Sequence, residues 1–337
     1  PQYLGEISKQ KKTIAVVGTN GKTTTTSMIG TILDAAGLDP TIIVGGIMPR
    51  YNSNCRIGQS EWFVVEACEY KESFMAIEPD YIVVTNISSD HLDYYKSTEN
   101  YQSIFKRFVS NLKPGGKIIA NLDDQTIQHL LSDCAEKDLL SYADLVDEPW
   151  VLPIPGRYNQ ENASAAVTLA DEIGVKGAKA LLQEHFQTSK RRFEHVGEMA
   201  DGALVYDDYA HNAQALALVI EAAKTRFPDK NLCVIFQPHL FSRTEEMKDE
   251  YVQALLQAEA QVLLPIYKAR ENPQDYQIRS VHIVEQIPGA EFTPSVEECI
   301  DLMKEKNLSD EWVVLTVGAG DGNKVALGLV SKTGTID

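Results

Sequence analysis

The run Thr13-Ile14-Ala15-Val16-Val17 leads straight into Gly18-Thr19-Asn20-Gly21-Lys22-Thr23-Thr24. An apolar β-type segment feeds a glycine loop, which feeds Lys and Thr at a helix start. That arrangement makes an anion cradle, because backbone N–H groups and the positive end of the helix dipole face the anion. Gly18, Thr19, Asn20, Gly21, Lys22, Thr23 and Thr24 are therefore the predicted phosphate-binding residues. Lys22 contributes a mobile cation, and the Thr23 hydroxyl is placed to hold a divalent metal ion. The general phosphate loop, GxxxxGK followed by Ser or Thr, would put a glycine at Val16. This loop is shorter, and its glycines are Gly18 and Gly21.

Two further groups belong at the same end of a sheet. Glu66 closes the apolar run Trp62-Phe63-Val64-Val65, and His91 follows Tyr81-Ile82-Val83-Val84-Thr85 by a few residues. If both runs are strands flanking the loop strand, a carboxylate, an imidazole and the Thr23 hydroxyl surround one cation. Oxygen donors suit Mg²⁺, whereas an imidazole is an unusual ligand for it and would act through water. Each residue also has a plainer use, Glu66 as a helix cap or surface acid and His91 as a hydrogen-bonded loop residue. Asn159 and Asn162 lie three apart on one helical face. Their carboxamides offer donor and acceptor together, as an adenine edge requires, and Asn159 serves equally well as an N-cap.

The second half carries its own set. Lys190-Arg191-Arg192 is a basic knot in an acidic chain. It is either a solvated linker or the point where Arg192 clamps a terminal phosphate as two domains close. In Tyr206-Asp207-Asp208-Tyr209-Ala210-His211, the Asp carboxylates suit ribose hydroxyls and His211 suits a phosphate. Gln237-Pro238-His239-Leu240-Phe241-Ser242-Arg243 offers His239 and Arg243 to a carboxylate. Gly318-Ala319-Gly320-Asp321-Gly322 looks like a dinucleotide fingerprint, but the last Gly of GxGxxG would fall on Asn323. It reads as a tight strand-to-helix turn.

These groups need scaffolds. The first half alternates short apolar runs (Thr13–Val17, Trp62–Val65, Tyr81–Val84, Lys117–Ala120) with helical patterns, the first of them Thr24–Ala36 ending at Gly37. Runs apolar on both faces are strands of a parallel sheet built from βαβ units. Functional groups then gather at the carboxyl ends of the strands. Val151–Tyr158 reads as a loop before a helix at Asn162–Gly174. A second series starts near Leu204 and continues through Leu232–Phe236, Gln261–Leu264 and Trp312–Val317. The predicted fold class is α/β, a phosphate-loop central domain followed by a Rossmann-like α/β domain. Ser189-Lys190-Arg191-Arg192 is the natural boundary, giving domains at 13–188 and 189–337.

The 337 residues suffice for two domains. A net charge of −17 repels nucleic acid and anionic membranes, so neither is expected as a partner. The five cysteines, Cys55, Cys68, Cys134, Cys233 and Cys299, form no CxxC pair. That pattern fits reduced thiols in a cytoplasm and argues against a zinc site. No run approaches membrane-spanning length.

Nine blocks now stand in order: GTNGKTTTT, VVEACEY (64–70), TNISSDHLDYY (85–95), GRYNQENASAA, RRFE (191–194), YDDYAHN, FQPHLFSRT, AREN (269–272) and VGAGD. Together they resemble the Mur ligase family of peptidoglycan synthesis, from Gly18 to Asp321. EACEY, FQPHLFSRT and AREN favour the member that adds L-alanine to UDP-N-acetylmuramate. The resemblance implies an ADP-forming ligase using ATP and Mg²⁺, acting through an acyl phosphate, as a monomer or weak homodimer. It implies that Lys22 and Thr23 hold the phosphates and Mg²⁺, with Glu66 and His91 at the metal. It assigns adenine to Asn162 with Asn159, the γ-phosphate to Arg192 and the ribose to Asp208. His211 is implied in catalysis, and His239, Arg243, Arg270 and Glu271 at the amino-acid pocket.

Three departures accompany the resemblance. No block corresponds to the family's N-terminal UDP-binding domain, so residues 1–12 are expected as a linker from it. These residues alone are expected to bind Mg·ATP but ligate poorly. A short β-ribbon before the GRYN block is trimmed. The lysine that several relatives carbamylate maps to Phe105, beside Lys106, so no carbamylation is expected. Two other readings stand beside this one. A folylpolyglutamate-synthase-like ligase would continue Gly-Lys-Gly-Ser where this chain has Lys22-Thr23-Thr24. A non-catalytic nucleotide-binding subunit would lack Lys22, Glu66 or His91, and all three are present.

Overall fold

The computed structural model describes residues 1–88, 92–132 and 139–330. The chain divides into two compact units, Pro1–Lys190 and Arg191–Asp337. The first holds β1 (Lys12–Val17), β2 (Thr41–Met48), β3 (Ser53–Arg56), β4 (Trp62–Glu66), β5 (Tyr81–Val84), β6 (Lys117–Ala120) and β7 (Leu139–Ser141). They form one sheet in the order β3-β2-β4-β1-β5-β6-β7, parallel throughout except for the β2–β3 pair. The loop strand β1 is thus flanked by β4 and β5. Ile14 to Val17, Phe63 to Val65 and Ile82 to Val84 are all buried, because both faces of these strands are covered. The β2 strand lies beyond β4 on one side of β1, and β5 lies on the other. A crevice at the carboxyl end of β1 is where such a sheet takes its ligands.

The helix Lys22–Ala35 follows the loop, and every residue from Thr23 to Leu33 is buried. It packs against the helices Arg157–Glu172 and Ala178–His185. Its end is set by Gly37 at φ +77°, with Gly37 N–H donating to Asp34 O and Leu38 N–H to Leu33 O, both at 2.9 Å. Glycine takes this left-handed position at no steric cost.

One expectation is corrected here. The helix anticipated from Asn162 begins at Arg157, capped by Gly156 without a side-chain hydrogen bond. The GRYN block therefore lies within the helix. Within residues 1–12, Gln2–Gln10 is a helix packed on β1, and Gly5 approaches Ala76 so closely that a Cβ would lie 2.4 Å from its carbonyl oxygen. Phe105 is buried against Phe74, ring centroids 5.7 Å apart, while Lys106 is exposed.

The second unit holds β8 (Glu194–Glu198), β9 (Leu204–Asp208), β10 (Asn231–Phe236), β11 (Ala260–Leu263), β12 (Glu291–Phe292) and β13 (Trp312–Val317). Their order is β12-β11-β10-β13-β9-β8, parallel except for the β8–β9 pair. Val205, Cys233, Ile235, Val262 and Val314 are buried in its core. The glycine turn after β13 leads into the helix Asn323–Leu329, as the turn reading requires. Gly318, at φ +145°, passes so near Gln237 that a Cβ would lie 2.6 Å from its carbonyl oxygen.

Candidate functional site

In the first unit the cradle stands at the carboxyl end of β1. Gly18 has φ +137°, and a Cβ there would meet Thr85 Oγ1 at 2.1 Å. Gly21 has φ +85° and caps the helix from Lys22 without a side chain of its own. Any larger residue at either place is strained and blocked. Thr19 N–H donates to Asn86 O at 2.8 Å and Asn20 N–H to Asn86 Oδ1 at 3.0 Å. The Thr19 hydroxyl lies 2.8 Å from Ser88 O and 3.0 Å from the Tyr101 hydroxyl. These two residues therefore hold the loop in shape. The opening turn at Lys22, Thr23 and Thr24 supplies the positive helix end.

The Thr23 hydroxyl donates to the Glu66 carboxylate, 3.0 Å from both oxygens. Gly45 N–H donates to Glu66 Oε2 at 2.5 Å. A hydroxyl and a carboxylate side by side are the hard oxygen donors that suit Mg²⁺, so this pair fits such an ion. His91 lies outside the described residues. Lys22 Nζ donates to the carbonyls of Gly18 and Thr19 and to Glu69 Oε1, the last at 3.0 Å. Burial works against the Lys22 charge, but the Glu69 and Glu66 carboxylates outweigh it and hold its pKa above the usual lysine value.

Asn159 and Asn162 are buried beside the loop. Asn162 Oδ1 accepts from the Thr25 hydroxyl at 3.1 Å, and its Nδ2 donates to Asn159 Oδ1 at 3.3 Å. Asn159 Nδ2 donates to Pro155 O at 2.6 Å. A Cβ on Gly21 would meet Asn162 Oδ1 at 2.3 Å. The carboxamides thus brace the loop from behind in this structure.

In the second unit the predicted residues follow β9 (Asp208 at its end, then His211), β10 (His239, Arg243) and β11 (Arg270, Glu271), with Arg192 just before β8. His211 and His239 have ring centroids 5.8 Å apart, and His239 stacks on Tyr267 at 5.7 Å. Arg243 Nη1 lies 3.3 Å from His239 Nδ1. Arginine only donates, so Nδ1 is the acceptor and the proton of a neutral His239 sits on Nε2. Arg192 lies over the Tyr209 ring, 5.1 Å from its centroid. Asp208 is buried and accepts from the N–H groups of Phe193 and Ala210, each at 2.8 Å. Burial raises its pKa against the pull of Arg192. It pins the backbone after Arg192. Glu271 accepts from Ser242 N–H at 3.2 Å and from the Ser242 hydroxyl at 2.5 Å, holding the start of the helix Phe241–Glu246. Arg270 is exposed.

Sequence reasoning missed two residues. Glu69 pairs with Lys22 from 47 positions away, which no local spacing reveals. Arg191 is held in place: it donates to Asp207 at 3.0 Å and to the carbonyls of Gly318 and Gly320. Its left-handed backbone, φ +61°, was equally invisible.

A glycine-capped loop at a helix start beside a hydroxyl–carboxylate pair, on a mostly parallel sheet, has the form of a phosphate cradle in a two-unit α/β protein. The comparisons with known proteins narrow that class. The Mur ligase middle domain matches residues 16–144, and the Mur ligase glutamate ligase domain matches residues 191–320. The chain belongs to the Mur ligase family. It is 36% identical to the UDP-N-acetylmuramate–L-alanine ligase of Desulfitobacterium hafniense, over 98% of this chain and 79% of the relative. The crystal structure of the UDP-N-acetylmuramate–alanine ligase of Thermotoga maritima matches with a TM-score of 0.77 at 26% identity, over 96% of this chain and 76% of that one. The bifunctional folylpolyglutamate synthase/dihydrofolate synthase of Yersinia pestis, solved with AMPPNP and a Mn ion, matches with a TM-score of 0.69 at 17% identity, over 96% of this chain and 89% of that one. That last likeness is one of fold alone.

Proposed function

We propose that this protein joins L-alanine to UDP-N-acetylmuramate at the expense of ATP, in peptidoglycan synthesis. A carboxylate is a poor electrophile. Its oxygen attacks the γ-phosphorus of ATP, ADP leaves, and an acyl phosphate forms. The amine of L-alanine, having lost a proton, then attacks the acyl carbon, and phosphate departs. Positioning and charge neutralisation do most of such work. Lys22 and the helix start at Thr23 and Thr24 bind the phosphate charge. Thr23 and Glu66 would hold a Mg²⁺ ion, which supplies further neutralisation of that charge. The Arg243–His239 pair suits the carboxylate of the incoming amino acid.

The observation that carries the reading is the Thr23–Glu66 pair, at 3.0 Å, next to Lys22 in a glycine-capped loop. A cytoplasmic location fits the unpaired thiols of Cys55, Cys68, Cys233 and Cys299. Among the described residues no helix is long and apolar enough to cross a membrane. Lys22→Ala tests the reading. We expect ATP turnover to be abolished in a variant that still folds, with a lowered melting temperature because the buried Glu69 carboxylate loses its partner. Phosphate release near the parent rate would overturn the assignment of the loop.

A further inference from the structure

Lysine has three N–H donors, and the three partners of Lys22 are two carbonyls and one carboxylate. A phosphate oxygen that takes a full hydrogen bond from Lys22 must displace one of them. The carboxylate is the partner that carries charge. Glu69 is held so that it cannot simply swing away. Its side chain is 1% exposed, and its two oxygens lie 3.0 Å from Lys22 Nζ. The Tyr101 hydroxyl lies 3.2 Å from Glu69 Oε1 and 3.0 Å from the Thr19 hydroxyl in the loop itself. The Tyr95 hydroxyl donates to the Glu69 backbone carbonyl. Two tyrosines thus fix a buried carboxylate on the loop lysine.

We propose that Glu69 is a built-in competitor of the nucleotide phosphates: it neutralises Lys22 when the cradle is empty and must give the lysine up when ATP binds. The inference rests on the reading of the loop as an ATP site. In the empty state the pair compensates two buried charges. With nucleotide bound, the phosphates compensate Lys22, and Glu69 keeps Tyr101 as a hydrogen-bond donor. The arrangement lowers affinity for ATP and ADP alike, and so speeds the departure of ADP. A residue that merely supported the fold would do the reverse when removed, since a damaged loop binds phosphate less well.

Glu69→Gln keeps the shape and the acceptor for Tyr101 and removes only the charge. Calorimetry with Mg·ADP on the parent and the variant is the test. We expect the variant to bind at least about tenfold more tightly, because an empty cradle with an uncompensated buried lysine is the costly state. KM for ATP should fall, and kcat should fall with it where ADP release limits turnover. An unchanged or weaker affinity in folded Glu69→Gln overturns the proposal. If that variant does not fold, Glu69→Asp, which retains the charge but shortens its reach to Lys22, decides the question in the same direction. Failure of the parent itself to bind Mg·ADP would strike the ATP-site reading instead.

Discussion

Single side chains in this protein are set by charge at short range. Lys22, Glu66 and Glu69 form an alternating cluster in which the lysine stays protonated despite burial. In the second unit Asp207 shows the opposite balance. Burial pushes its pKa up to about 6, although the Thr316 hydroxyl and Arg191 both favour the carboxylate. The sign of the pH effect follows. The folded value lies above the ordinary one near 3.8, so the group adds stability at low pH and loses it as pH rises through about 6. Comparing the parent with Asp207→Asn, we expect the stability difference to move in favour of the parent by about 2 kcal/mol between pH 7.5 and pH 4.5. Urea unfolding at the two pH values measures it, and a difference independent of pH would contradict the buried-carboxylate account.

Elements explain why some of the site was legible and some was not. The strands β1, β4 and β5 announce themselves as apolar runs because both faces are covered, and the loop after β1 carries its own glycines. Strand order then brings Glu66 to Thr23 without further information. The helix Arg157–Glu172 was legible only from Asn162 onward. Its first turn is polar, its cap is a bare glycine, and its buried face presents Asn159 and Asn162 where a pattern reading expects apolar residues. Glu69 was hidden for a different reason, since it acts on a partner distant in sequence, and so was the capping contact of Glu271, a residue expected only at the amino-acid pocket. The Glu271 case is testable. Leu240, at φ +69°, cannot cap the helix Phe241–Glu246, and Glu271 does so from 30 positions away. Glu271→Ala should cost about 1–2 kcal/mol, as loss of a cap does. It should also raise KM for the amino acid, because Arg243 sits in that helix. An unchanged KM would separate the cap from the Arg243–His239 pair.

At the scale of the whole chain, two α/β units each carry a sheet, a core and a set of polar groups at the carboxyl ends of their strands. A net charge of −17 makes most of the surface hostile to a nucleotide. Binding must therefore rest on local positive charge, and Lys22 with its helix start supplies that in the first unit. Fold alone does not choose the substrate, since a folylpolyglutamate synthase shares the architecture at 17% identity. The most direct measurement is phosphate release by the full-length protein with ATP, Mg²⁺ and UDP-N-acetylmuramate, supplied in turn with L-alanine, glycine, L-serine or L-glutamate. The account predicts release that requires UDP-N-acetylmuramate and is fastest with L-alanine. Release that is indifferent to UDP-N-acetylmuramate, or that is fastest with L-glutamate, would contradict it.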